Sequence, residues 1–242
     1  MIYISNLSFS ILAVIQNPTL FSTTPKQTPT MSHLNFHITT PRLYLSYCNP
    51  DSSLQSAFMC SVLHGAPSRK WHPGALSDIP DEHAARSAMA AQLPRLLKLG
   101  FGRYLVSLRP SSAEEDESIP FSERELVPIG YVSMQMARVE GVAAPTIPDV
   151  GFNMHEMYHG KGYATEAVEG LMKYFREDNG FSAFAGLTNE KNEGARRLFR
   201  RLGFKEWGVR SVGGIMWTGK PADIDVWTFG VEEGRELEEY GF

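Results

Sequence analysis

Asp149 to Phe175 reads D-V-G-F-N-M-H-E-M-Y-H-G-K-G-Y-A-T-E-A-V-E-G-L-M-K-Y-F, which divides into a strand, a glycine loop and a helix. Val150, Phe152 and Met154 alternate with Gly151 and Asn153 as strand residues do, whereas Ala164, Ala167, Val168, Leu171 and Phe175 recur at helical spacing. Between them lies H-G-K-G-Y-A, where Gly160 and Gly162 let the backbone turn tightly. The helix that follows begins with N–H groups that have no intrahelical partner. Such a terminus favours negative charge by roughly 0.3–1 kcal/mol, so aligned amides together with Lys161 form a cradle suited to a pyrophosphate.

Working outward, D-N-G at 178–180 stops that helix, and Phe181 to Thr188 reads as a strand. Residues 188–204, T-N-E-K-N-E-G-A-R-R-L-F-R-R-L-G-F, follow at once. They place Ala195, Leu198, Phe199 and Leu202 on one helical face, four arginines mostly on the other, and Gly203 at the stop. Asn192 reads either as a ligand contact or as a plain helix start. Lys205 to Val209 and Val226 to Phe229 supply two last strands, and the glutamate-rich segment 231–242 reads as an acidic surface tail.

Upstream, Thr39 to Tyr47 reads as a single first strand with Leu43, Leu45 and Tyr47 on one face. Asn49 and Pro50 open a helix whose buried stripe is Leu54, Ala57, Phe58, Ser61 and Val62. His64 to Pro80, rich in glycine and proline, reads as a long loop. In it, Trp71 and His72 either anchor the loop under the core or belong to an acceptor pocket. Asp81 to Leu99 is a second helical region, divided or kinked at Pro94 and ended by Gly100. Arg103 to Leu108 and Pro128 to Met136 read as an antiparallel pair, with Gly130 marking a bulge or a close backbone approach. The connection carries Glu114, Glu115, Asp116, Glu117, Glu123 and Glu125, a solvated acidic run.

Hydrophobic content of 43% and charged content of 21% fit a globular chain and argue against wholesale disorder. A net charge of −4 supplies no global field for nucleic acid. The two cysteines, Cys48 and Cys60, cannot build a disulfide framework, and no Cys/His cluster has metal-ligand spacing, so no metal is expected. Residues 1–30 hold an apolar run too short to span a bilayer, and their first basic residue is Lys26. They read as a poorly ordered extension, with Met31 an alternative start, ahead of a domain at 31–230 in a cytoplasmic or nuclear protein.

Three pieces carry a resemblance to a known family. They are T-x-R-L-x-L in the Thr39 to Leu45 entry strand, the loop His159 to Ala164 followed by T-E-A at 165–167, and N-x-x-A-x-x-L-x-x-x-x-G-F from Asn192 to Phe204. With them the chain resembles the GCN5-related N-acetyltransferases, the GNAT superfamily, and is similar to the ribosomal-protein-alanine acetyltransferase type. The resemblance implies an α/β (α+β) acyl-CoA N-acyltransferase fold. Its sheet would be mixed, mostly antiparallel, of about six or seven strands flanked by about four helices, and splayed around the central strand. It implies acetyl-CoA as co-substrate, with an amine acceptor that is a protein N-terminus or a small molecule, and direct transfer between them. Non-catalytic binding of an acyl-CoA is the alternative.

By the same resemblance His159, Gly160, Lys161, Gly162, Tyr163, Ala164, Thr165 and Asn192 contact acetyl-CoA. A bulge near Asn153 and Met154 would open the central strand, and an N–H of Met154 or His155 would meet the developing oxyanion. Glu156 is the preferred base among Glu156, Asp149, His155 and His159. Two residues depart from the family pattern. His159 stands where Gln or Arg is usual, and Phe199 where many members place a tyrosine that protonates the leaving thiolate.

Overall fold

The computed structural model describes residues 31–110, 118–232 and 234–242. Residues 1–30, and with them the expected extension, lie outside the described residues, as do Glu114 to Glu117 of the acidic run. Among the described residues, eight strands form one sheet in the order β1-β2-β3-β4-β5-β6-β8-β7. They are β1 His37–Thr39, β2 Leu43–Ser46, β3 Gly102–Leu108, β4 Pro128–Gln135, β5 Asp149–Met154, β6 Phe184–Thr188, β7 Lys205–Val212 and β8 Ala222–Phe229. Six helices accompany them: α1 Ser53–Leu63, α2 Ala66–Trp71, α3 Ala75–Asp78, α4 Glu82–Leu99, α5 Tyr163–Asn179 and α6 Glu193–Arg201. All neighbouring strands are antiparallel except β5 with β6. The expected architecture holds, with one or two strands more than the sequence suggests.

The extra strand comes from the first segment, which is a hairpin and not one strand. Thr40 makes the turn, its hydroxyl accepting from Leu43 N–H at 3.0 Å and its own N–H meeting the Leu43 carbonyl at 2.9 Å. Helix α1 starts later than expected, at Ser52, whose side chain accepts from Gln55 N–H. Asn49 instead accepts from Asp51 N–H in a local turn. The buried stripe is therefore Ser56, Met59 and Val62, and Leu54 is exposed. Region 64–80 is not a bare loop, because Gly65 and Pro67 start α2 and a further short turn forms α3. Pro94 does not divide α4. It lies on the exposed side of the helix, as does Ala90 four residues before it, so the carbonyl that Pro94 cannot satisfy can meet water.

The sheet separates two cores. On one face α5 buries Ala167, Val168, Leu171, Met172 and Phe175, and α6 buries Ala195, Leu198 and Phe199. On the other, α1 and α4 cover Leu105 and Tyr131 with Met59, Val62, Ala85 and Met89. Cys48 lies in this second core, where burial pushes its thiol up to about 12 and leaves it inert. The acidic tail is docked, not frayed. Leu237 is buried against Val212, Ile215 and Val226, and the Tyr240 carbonyl accepts from Thr146 N–H at 2.9 Å.

One carboxylate ties the opening hairpin to the central helix. Glu166 accepts from the Thr40 hydroxyl at 2.7 Å, from Arg42 N–H at 2.7 Å and from Arg42 Nε at 2.6 Å. Arg42 also donates through Nη1 to the Lys161 carbonyl at 3.1 Å, and its guanidinium sits 4.7 Å over the Tyr163 ring. Burial pushes the Glu166 carboxyl up, but the hydrogen bonds from Thr40 and Arg42 outweigh it and hold the group below its ordinary value.

Two outcomes follow from these contacts. The Glu166 clamp is fully in place above the ordinary carboxyl value of 4.5 and is lost as the pH falls through the lower folded value. Glu166→Gln should therefore cost about 1 kcal/mol at neutral pH, allowing for solvent around Arg42, with the deficit closing as the pH falls below the ordinary 4.5 and through the lower folded value. Thermal unfolding of both chains across that range measures it, and a deficit independent of pH would refute the clamp. At Gly130 a Cβ would lie 2.7 Å from the Asn153 carbonyl oxygen and 2.8 Å from Met154 Cα, both backbone atoms. Gly130→Ala should destabilise the fold by about 1–3 kcal/mol in denaturant titration.

Candidate functional site

Strands β5 and β6 stay together over only two residue pairs, Asp149 with Ala185 and Val150 with Gly186. Beyond Val150 no described strand pairs with β5 on that side, although its other edge stays in unbroken register with β4 from Asp149 to Met154. The expected bulge at Asn153 and Met154 is thus absent, and the sheet opens by divergence instead. The bulge lies next door in β4, where Ile129 is the unpaired residue between the pairs Val106–Gly130 and Ser107–Pro128. Twist accumulates across a sheet, and a parallel pair this short does not hold two strands together against it.

Divergence leaves specific backbone groups exposed to the gap. His155 N–H donates to the Ile129 carbonyl at 2.9 Å, so β5 turns its odd-numbered residues' amides toward β4 and its even-numbered ones away. Of the two expected oxyanion donors, His155 is therefore committed and the Met154 N–H faces the gap. The Met154 carbonyl, on the same side, is held by His159 Nε2 at 2.8 Å. A carbonyl only accepts, so Nε2 carries the proton, and the His159 ring braces the glycine loop against the end of β5.

The loop reaches α5 through Gly160 and Gly162, both at positive φ, 75° and 81°. Gly162 is the N-cap and gives no side-chain cap, so the amides of Tyr163, Ala164 and Thr165 lack partners among the described residues at the helix start. Around them stand Lys161, 5.4 Å from the Tyr158 ring, and Arg201 of α6, 3.2 Å from the Thr165 hydroxyl. An open groove of about 670 Å³ begins here, lined in part by Arg42, Gly162, Thr165 and Arg201. Arg42 and Arg201 are members of the site that sequence reasoning missed. The signal for Arg42 was present in T-x-R-L, but its partner is 124 residues away.

The structure brings Met154 and His159 to Thr165 together, through the contact of His159 Nε2 with the Met154 carbonyl. Asn192 Oδ1 caps α6 through Ala195 N–H at 3.2 Å, at the end of that helix opposite Arg201, roughly 14 Å along it. Phe199 is a core residue, its ring laid on Gly186, where a Cβ would come within 2.6 Å of Cζ. Glycine at 186 therefore makes room for it.

On the opposite face, a small cleft is lined by Ser61, Val62, Gly65, Pro67, Met154, His155 and Glu156. Glu156 is exposed there, and its carboxylate has no hydrogen-bond or ion-pair partner among the described residues. His155 Nδ1 accepts from Met157 N–H at 3.4 Å, which occupies its lone pair. Asp149 is the other end of β5, about 17 Å away. It is held bidentately by Arg138 at 2.8 and 2.7 Å, so it is not a base for chemistry at Met154. Trp71 and His72 belong to the α2 end and its C-cap, outside this cleft. Among the described residues no group of three or more His, Cys, Asp or Glu is placed to hold a metal, and no helix is long and apolar enough to cross a membrane.

Comparison with known proteins agrees with this geometry. The acetyltransferase (GNAT) domain model matches residues 63–205. No curated protein sequence matches. A GNAT-family acetyltransferase from Bacillus anthracis shares the fold at a TM-score of 0.54 and 15% identity, covering 80% of this chain and 98% of its own. A ribosomal-protein-S5-alanine acetyltransferase from Vibrio fischeri does so at 0.56 and 14%, covering 83% and 100%. A ribosomal L7/L12 alpha-N-protein acetyltransferase solved with coenzyme A does so at 0.55 and 12%, covering 81% and 98%. With the domain matched over more than half of its length, on a sheet that parts beside an uncapped helix start, the chain belongs to the GNAT acetyltransferase family.

Proposed function

We propose that the chain moves the acetyl group of acetyl-CoA to a primary amine by direct attack, the amine being a protein N-terminus or that of a small molecule. The observation that supports this is the parting of β5 from β6 after Val150, directly beside the uncapped start of α5. Acetyl-CoA supplies the activated acyl group as a thioester. The amides of Gly160 to Thr165, together with Lys161, suit its pyrophosphate, and Arg201 adds a positive charge at the same end. A Cβ at Gly160 would meet nothing within 4 Å, so the loop is open on its outer side.

Met154 N–H is the donor for the negative charge that grows on the thioester oxygen, since His155 N–H is already bonded. His159 acts as a brace, with only Nδ1 left to face a phosphate. Phe199 cannot protonate the leaving thiolate, so that proton comes from solvent. Glu156, exposed in the cleft on the far side of β5, takes the proton of the attacking amine directly or through one water. At pH 7 a lysine-like amine is neutral about once in 2,500 molecules and an N-terminal amine about once in seven. A single exposed carboxylate is better matched to the second. The two ribosomal-protein acetyltransferases that share the fold lend the protein N-terminus further support.

Thiol release from acetyl-CoA, measured against peptides with free N-termini and simple alkylamines, tests the reaction; no release with any of them would overturn it. Gly162→Ala places a Cβ at φ 81° and 3.4 Å from Arg42 Nη2. It should raise the acetyl-CoA KM about five- to tenfold with little change in the acceptor KM. Glu156→Gln should lower kcat/KM by about tenfold or more and shift its acidic limb. An unchanged rate and pH profile would remove Glu156 from the mechanism.

A further inference from the structure

Asn153 is the β5 residue that faces the acceptor side immediately before Met154, and its side chain is not free to choose its orientation. Its Nδ2 lies 2.8 Å from Ser68 Oγ, and Ser68 Oγ lies 2.7 Å from the Val62 carbonyl oxygen. The carbonyl can only accept, so the single serine proton goes to it, and Ser68 must then accept from Asn153. The nitrogen of the amide is thereby fixed toward α2. Its oxygen is turned the other way. Ser68 is 1% exposed, whereas Asn153 is half-buried with Oδ1 unpartnered among the described residues. Val62, Gly65 and Pro67, just ahead of Ser68 in sequence, line the cleft that also holds Glu156.

We propose that Asn153 Oδ1 is the hydrogen-bond acceptor that positions the attacking amine, with Ser68 as the residue that orients it. The inference rests on the acetyl-transfer reading above and deepens it. In that reaction the nitrogen lone pair forms the N–C bond, the C–S bond breaks with its electron pair on sulfur, and one nitrogen proton leaves to the base. A hydrogen bond from a second N–H to Asn153 turns the lone pair toward the thioester without consuming that proton. A neutral amide suits this role better than a carboxylate. A carboxylate would favour the ammonium form, raise the amine's pKa and deplete the reactive species.

The test compares the native chain with Asn153→Leu, Asn153→Asp and Ser68→Ala, using acetyl-CoA and a short peptide with a free alanine N-terminus, or an alkylamine if the peptide is inactive. Asn153→Leu should raise the acceptor KM about tenfold and leave the acetyl-CoA KM unchanged. Ser68→Ala, which lets the amide rotate, should raise the acceptor KM severalfold. Asn153→Asp should move the alkaline rise of kcat/KM to higher pH. An acceptor KM unchanged in both Asn153→Leu and Ser68→Ala overturns the proposal while leaving acetyl transfer standing. So does an equal rise in both KM values that tracks a fall in melting temperature, which marks a purely structural link between α2 and β5. Absence of thiol release from the native chain with every amine overturns the acetyl-transfer reading itself.

Discussion

Backbone amides inside a sheet ordinarily find a strand partner, and half of β5 does without one on one edge. The two pairs that β5 makes with β6 end at Val150 and Gly186, while its other edge is paired to Met154. Every functional element is arranged about that divergence. The glycine loop arrives on one side, braced by the His159 ring against the Met154 carbonyl. The cleft with Glu156 opens on the other. A closed, fully paired sheet would satisfy more hydrogen bonds but would put a strand where both partners of a transfer reaction must meet. Phe199 and Gly186 fill the base of the wedge, so the opening is confined to the end of the strand.

The parts of the fold legible in sequence are those whose cause lies within a dozen residues. β5, the loop and α5 follow from alternation, two glycines and a helical stripe. Gly100, Gly180 and Gly203 each stand at positive φ at or just after a helix end, as their positions suggest. The errors fall where a distant partner decides. Thr40 turns the first strand into a hairpin because Glu166, on another element, holds its hydroxyl. The stripe of α1 follows from Ser52 capping in preference to Asn49, a choice between two good caps that the tertiary packing of Met59 and Val62 settles. Pro94 survives inside α4 because it faces water, and sequence alone does not say which way a helix faces.

The candidate site divides along the same line. Gly160, Lys161 and Gly162 could be read because a helix start presents amides whatever its side chains are. The chemistry opposite could not be read, since Asn153 acquires meaning only through Ser68, 85 residues earlier. In sequence Glu156 is preferred over Asp149 and His155 for its place just past the strand, and the hydrogen bonds of the other two set them further apart from it. Asp149 is engaged by Arg138, and the His155 lone pair by Met157 N–H.

Arg42 joins the opening and the central segments of the domain through contacts 119 and 124 residues apart in sequence, to the Lys161 carbonyl and the Glu166 carboxylate. Contacts of that span carry a loop-closure cost that local contacts do not. The loop is thus completed only when the opening hairpin has docked, and without that docking its glycines lack the Arg42 contact at the Lys161 carbonyl. A ligand bound at that loop would stabilise the whole domain by mass action and not just the loop. Occupancy of the cradle becomes a report that the first and the central segments of the chain have met.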